Sequence, residues 1–251
     1  TTERCNLRCT YCFENWKCDQ EDSQLLKDMD EKFLDALIPF VMETKDNQKT
    51  IGFNFFGGEP TINWSFIEAS IERLQKLDFN KYFSITTNCI SLDSKKIDFL
   101  SRNFNQLILS IDGSREANIN RIDAAGNNSW DISMSNATEI LAKTDKRNVR
   151  VLMVVNKNNH EFLEKSYDFF VNKLQIYDVD ILFDYSTEAT EEYLDSIKTQ
   201  LFSMFVKKRW TLPFTIGKKA LSEEHKNKDF YCFHPELIAS IINKIRAPAI
   251  A

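Results

Sequence analysis

Glycine is scarce in this chain of 251 residues: there are six, about a third of the usual frequency. Each is therefore expected at a position where the backbone needs one. Long apolar runs are missing too. The longest, Ala36 to Met42 and Leu237 to Ile242, fall far short of the ~18 residues a membrane span requires, which argues against a membrane protein. Basic residues do not predominate, with 32 against 37 acidic residues and a net charge of −5. That is the wrong sign for a protein that binds nucleic acid by neutralising phosphates. Six cysteines are too thinly spread for a disulfide framework. No low-complexity tract, Gly/Ser linker or fixed-period repeat divides the chain. At 43% hydrophobic and 27% charged residues, wholesale disorder is also excluded. Thr1 carries neither an initiator methionine nor a signal-peptide pattern, and the chain stops at Arg246–Ala251 without a visible capping logic. Truncation at both ends is the expectation.

What the chain does have is phenylalanine, 20 residues, which suggests a large packed interior. β-type runs fall at Ile51–Phe56, Tyr82–Thr86, Gln106–Ile111, Val149–Val155 and Val179–Phe183. Helical patterns lie between or after them at Asp30–Glu43, Trp64–Leu77, Asp93–Phe104, Ser135–Lys143, His160–Leu174 and Glu188–Lys208. Pro39 predicts a kink or break in the first helix. Strand ends recur at intervals of about 25 to 45 residues, the size of a βαβ unit. Nearly continuous apolar strands such as LILSI and VRVLMVV fit a parallel sheet covered by helices. The expected architecture is α/β, a full or partial (β/α) barrel of parallel strands, in which chemistry collects at the carboxyl ends of the strands. The unusual residues do sit there: Gly57-Gly58-Glu59-Pro60, Thr87-Asn88, Asp112-Gly113 and Asn156.

Cys5, Cys9 and Cys12 form a C-x3-C-x2-C cluster ahead of the first helix. Such clustering points to metal binding in a reducing compartment, with a cytoplasmic location as the corresponding expectation. Three readings are open. The thiols are free or simply buried; or they bind zinc, with Cys18 or a distant histidine as fourth ligand; or they hold an iron–sulfur cube through three cysteines, leaving one iron for an outside ligand.

The run Cys5-Asn6-Leu7-Arg8-Cys9-Thr10-Tyr11-Cys12-Phe13 resembles the signature of the radical S-adenosylmethionine (SAM) enzymes. GGEP at 57–60, TTN at 86–88, SIDG at 110–113 and VVN at 154–156 follow in the family's order. The resemblance covers about residues 1–185. It is closest in kind to the peptide- and protein-modifying branch, which includes anaerobic sulfatase-maturating enzymes and other maturases, many with a cysteine-rich SPASM extension.

This resemblance implies that Cys5, Cys9 and Cys12 ligate a 4Fe–4S cluster and that SAM chelates the fourth iron. A 5′-deoxyadenosyl radical would then abstract a substrate hydrogen. Tyr11 and Phe13 would flank the cluster and adenine, or merely pack. Gly57 and Gly58 would let the ligand approach the backbone, and Glu59 would accept from the SAM amino group; Glu-Pro is also good helix-start chemistry. Asn88, Ser110, Asp112, Arg121 and Asn156 complete the implied cofactor contacts. Their ordinary alternatives are turn residues for Asn88 and Asn156, a buried polar pair for Ser110 and Asp112, and a solvated arginine for Arg121. Ser110 and Asp112, two apart on a strand, are expected on one inward face. Asp184 and Tyr185, after the last strand, are candidates to act on substrate, Asp184 as a base. His160, His225 and His234 show no ligand spacing.

Three departures from the family pattern stand out. Thr1–Arg4 is too short for the first strand that the family has before Cys5. Cys89 occupies a position where the family commonly has glycine. Cys232 falls where a first auxiliary-cluster cysteine would, but a single thiol cannot hold such a cluster, so one is expected only if the chain is truncated. The domain division expected is 1–210 for the radical SAM core and 211–251 for the start of a SPASM-like extension. The partners implied are a peptide or protein substrate and a ferredoxin or flavodoxin as electron donor, with no nucleic acid and no membrane. A radical SAM enzyme acting on a small molecule, and a non-catalytic iron–sulfur or zinc scaffold, are the alternatives.

Overall fold

The computed structural model describes residues 1–12, 14, 26–184 and 190–206. Asp30 opens the first helix by accepting from the Lys32 and Phe33 amides, and α1 runs Glu31–Thr44. Pro39 does not break it. The proline sits on the exposed side of the helix, where water can satisfy the Asp35 carbonyl that has lost its amide partner. The chain continues through β1 (Thr50–Phe55), α2 (Trp64–Gln75), β2 (Asn80–Thr87) and α3 (Ser94–Asn103). It then forms β3 (Gln106–Ser110), α4 (Trp130–Lys143), β4 (Val149–Val155), α5 (Leu163–Asp168), β5 (Asp178–Phe183) and α6 (Glu191–Val206).

Two helices differ from expectation. α4 starts at Trp130, five residues before the expected Ser135. Its buried stripe includes Ser133, whose hydroxyl donates to the Asn88 carbonyl at 2.8 Å, so a core-facing position is disguised as polar. The single helix expected over His160–Leu174 is three pieces: a 3₁₀ turn at His160–Phe162, α5, and a π-helical turn at Phe169–Leu174. Gln175, left-handed at φ 60°, closes it.

The five strands form one sheet in the order β1-β2-β3-β4-β5, which realises the expected α/β barrel in its partial form. β1 and β2 pair in parallel from Thr50↔Asn80 to Phe55↔Ile85. β2 and β3 do the same from Ser84↔Gln106 to Thr87↔Leu109. Helical crossovers between sequential strands are what parallel pairing demands.

Contacts divide the chain into two compact units. The first comprises Thr1–Ser110 and Arg121–Arg150. Ile67, Ile71 and Leu74 of α2 and Ile97 and Leu100 of α3 are buried in it with Ile85, Leu107 and Leu109. A phenylalanine cluster lines β1 and β2, with Phe53–Phe83 stacked at 5.6 Å and Phe55–Phe104 edge-on at 5.4 Å. Burying Phe55, Phe83 and Phe104 contributes about 1.5–3 kcal/mol each. The second unit comprises Ile111–Asn120 and the described residues from Val151 onward. Its buried residues include Val151, Met153, Tyr167, Phe170, Ile181 and Ile197. Among the described residues no helix is long and apolar enough to cross a membrane.

Candidate functional site

In the first unit, Thr1–Arg4 runs alongside residues 56–59. The Thr1 amino group donates to the Phe56 carbonyl at 2.8 Å, the Gly58 amide to Thr2 at 2.9 Å and the Glu59 amide to Arg4 at 2.8 Å. A Cβ on Gly57 would overlap the Thr2 carbonyl, and one on Gly58 the Arg4 carbonyl. This backbone contact by itself requires glycine at both positions. The short leading segment forms no strand of its own; Thr2 makes one antiparallel bridge to Asp28.

The cysteine loop leaves that segment directly. Cys5 and Cys12 are half-buried, Cys9 is buried, and none forms a disulfide. The Cys12 amide donates to the Cys9 carbonyl at 2.9 Å. Arg8 shapes the loop: its guanidinium donates to the Cys5 and Leu7 carbonyls at 3.0 and 2.9 Å, and its amide to the Ile122 carbonyl at 2.6 Å. This brings Arg121, itself buried, to the loop, with its guanidinium 5.5 Å from the Tyr11 ring centroid. Phe13 and Cys18 lie outside the described residues.

Among the described residues no three His, Cys, Asp or Glu side chains gather around one ion-sized point. Three thiolates on one loop suit either zinc completed by a fourth ligand or a cube that takes each thiolate on a separate iron. Two N–H groups also approach the Cys5 sulfur, Leu7 N at 3.4 Å and Asn88 Nδ2 at 4.0 Å, as suits a ligated thiolate. The donor set fits a three-cysteine cluster.

Glu59, 1% exposed, uses both carboxylate oxygens on protein donors. Oε1 accepts from the Thr61 amide at 3.1 Å, the Thr61 hydroxyl at 2.6 Å and the Thr87 hydroxyl at 2.8 Å; Oε2 accepts from the Asn88 amide at 2.7 Å. It caps the 3₁₀ turn at Pro60–Ile62 and ties the end of β1 to the end of β2. Burial raises its pKa above the ordinary carboxylate value, against the lowering effect of those hydrogen bonds.

Cys89, one residue further, is fully buried with φ +66°. It adopts the left-handed conformation for which glycine is the easy choice. Burial pushes its thiol pKa well above the ordinary range, the Glu59 charge adds to this, and Arg121 opposes it.

Ser110 is the last residue of β3 and is buried. Asp112 lies beyond the strand, so the alternation used to place it on one face with Ser110 does not reach it. In the second unit, Asp112 Oδ1 accepts from the Val154 amide at 2.9 Å, and its own amide donates to Asn118 Oδ1 at 3.1 Å. Asn156 Oδ1 accepts from Asn120 Nδ2 at 3.0 Å and from the Asn158 amide at 2.9 Å, which is turn-stabilising chemistry. A Cβ on Gly113 would overlap Ser166. Asp184 follows β5, and its amide donates to the Val155 carbonyl at 2.9 Å. His160 packs edge-on against Tyr193 at 5.3 Å. Tyr185, His225, His234, Cys232 and residues 211–251 lie outside the described residues.

Sequence reasoning missed Asn6. Its side chain accepts from Asn88 Nδ2 at 2.7 Å and donates to Ser91 Oγ at 2.9 Å. Its one available signal was its position directly after the first cysteine.

Residues 1–170 match the family model of the radical SAM superfamily. The chain is 30% identical over 218 residues to the cysteine-type anaerobic sulfatase-maturating enzyme of Clostridium perfringens (strain 13 / Type A), covering 83% of this chain and 57% of that protein. It thus spans little more than half the length of that relative. Two solved structures match in fold. Native anSMEcpe with bound AdoMet has a TM-score of 0.68 and 24% identity, over 82% of this chain and 60% of that one. Native anSMEcpe with bound AdoMet and Kp18Cys peptide has a TM-score of 0.67 and 25% identity, over 82% and 59%.

Proposed function

The chain belongs to the radical SAM superfamily, and from that premise we propose that it modifies a peptide or protein side chain, as the sulfatase-maturating relatives' name suggests. Bound to Cys5, Cys9 and Cys12, a 4Fe–4S cluster with SAM would supply a 5′-deoxyadenosyl radical that abstracts a substrate hydrogen. The observation that carries this reading is the cysteine loop itself: three thiols, none in a disulfide, on one eight-residue stretch, with N–H donors directed at Cys5.

In this reading the chain's residues divide the work. Arg8 and Ile122 fix the loop. Arg121, buried beside Tyr11, offers a positive charge suited to the SAM carboxylate, with Tyr11 and Ser110 as further cofactor contacts. Glu59 and Gly57-Gly58 build the wall beside the cluster loop. Asp112 and Asn156, engaged with their own turns, shape those turns. Asp184 removes the proton released after hydrogen abstraction. The reducing electron comes from a ferredoxin or flavodoxin, a donor that suits a reducing compartment. The bound Kp18Cys peptide of one solved neighbour supports a peptide substrate over a small molecule.

The test is anaerobic reconstitution with iron and sulfide, followed by SAM, a reductant and a cysteine-containing peptide. 5′-Deoxyadenosine and a modified peptide are expected. No 5′-deoxyadenosine above a Cys5/Cys9/Cys12→Ala control would leave only the scaffold reading. Zinc bound by the purified chain would do the same.

A further inference from the structure

The Asn88 amide group has its orientation fixed by the backbone. The Ile90 N–H donates to Asn88 Oδ1 at 3.0 Å, so that end of the side chain is the oxygen and the other the NH₂. The NH₂ carries two protons and has two acceptors: Asn6 Oδ1 at 2.7 Å and the Cys5 sulfur at 4.0 Å. Asn6 is fixed in turn, since its own NH₂ donates to Ser91 Oγ at 2.9 Å. The turn that carries Asn88 is held by Glu59 on its amide and by Ser133 on its carbonyl, at 2.7 and 2.8 Å. All of these residues lie in the first unit.

We infer that Asn6 and Asn88 form an amide clamp that positions Cys5 and directs an N–H at its sulfur, setting the reduction potential of the cluster that Cys5 holds. Asn88 is thereby a positioning residue acting through Cys5, in place of the SAM contact that the sequence resemblance implies. The inference rests on the proposed function, because it presupposes the cluster. An N–H directed at a ligating sulfur stabilises the more negative, reduced state, so it raises the potential. Removing one hydrogen bond of ordinary net strength changes an equilibrium by about three- to tenfold.

The experiment is a redox titration of the reconstituted full chain without SAM, followed by electron paramagnetic resonance. Asn88→Leu keeps the side-chain shape and loses the amide. Asn88→Asp keeps the acceptor for Ile90 and loses the donor. Poised at the wild-type midpoint, both should show the reduced-to-oxidised ratio fall by about three- to tenfold, a tenfold change being 59 mV for one electron. The aspartate should fall further, because its charge adds to the effect. SAM-free potentials equal to wild type, in variants with full iron content, would overturn the clamp. So would weakened SAM binding as the sole change. Iron loss from both variants with unaltered thermal unfolding would support it, as failure to hold Cys5. A wild-type chain that assembles no cluster defeats the proposed function itself, which separates the two failures.

Discussion

Glu59 and Asn88, 29 residues apart, meet through the Asn88 amide and Glu59 Oε2 at 2.7 Å. That bond links the ends of two adjacent parallel strands, and each partner has a second task. Glu59 also caps the Pro60 turn, and the Asn88 side chain reaches the cysteine loop. The buried carboxylate is therefore a structural member of the cysteine loop's surroundings.

Glu59→Ala should destabilise the fold by about 3 kcal/mol or more, because four buried donor bonds lose their acceptor. Glu59→Gln should cost about 1–2 kcal/mol, one donor being left facing another. The pH dependence separates charge from shape. A carboxyl whose folded pKa is raised gives its full stabilisation below the unfolded value, about 4.3, and loses it as pH climbs through the folded value. Urea unfolding from pH 4 upward should show wild-type stability declining relative to Glu59→Gln. A constant difference across that range would contradict the raised pKa.

Gly58→Ala should displace Thr1–Arg4 and lower stability by about 2–3 kcal/mol, in the range of overpacked backbone contacts. Gly52→Ala in β1 has open space around it and should stabilise by about 0.5 kcal/mol. Thermal unfolding of the two variants provides the check, and equal shifts would remove the backbone contact as the reason for Gly58.

Cys89 should resist alkylation in the native protein at pH 8, being buried with a raised pKa, since the thiolate is the reactive form. Cys5 and Cys12, half-buried, should label in the iron-free chain. Peptide mass mapping before and after urea distinguishes them; rapid native labelling of Cys89 would show that its turn opens readily.

Asp184→Asn should leave 5′-deoxyadenosine formation intact while lowering peptide product by about 10²–10⁴-fold, the usual contribution of a positioned acid or base. Loss of both together would mean that Asp184 acts before the proton-removal step.

The alternation of strands and helices was legible because apolar runs and caps announce themselves locally: Asp30 and Asp93 begin helices where expected. The start of α4 was not legible, since buried Ser133 breaks the apolar period. The π-helical turn at Phe169–Leu174 has no sequence period of its own. At the site, the motifs marked the right segments but not their uses. Gly57 and Gly58 look like a ligand cradle in sequence; only the fold reveals Thr1–Arg4 lying against them. Asp112 and Asn156 are motif positions whose partners, Val154 and Asn120, are remote in sequence. Asn6 was overlooked because its value depends on Asn88, 82 residues away.

β1, β2 and β3 lie side by side in the order in which they are synthesised. Each strand that leaves the ribosome finds its template already made by the one before, so assembly of this half can proceed vectorially. The cysteine loop, made before these strands, then waits for the β2 turn, and its hydrogen bonds are complete only once Asn88 has been translated and paired.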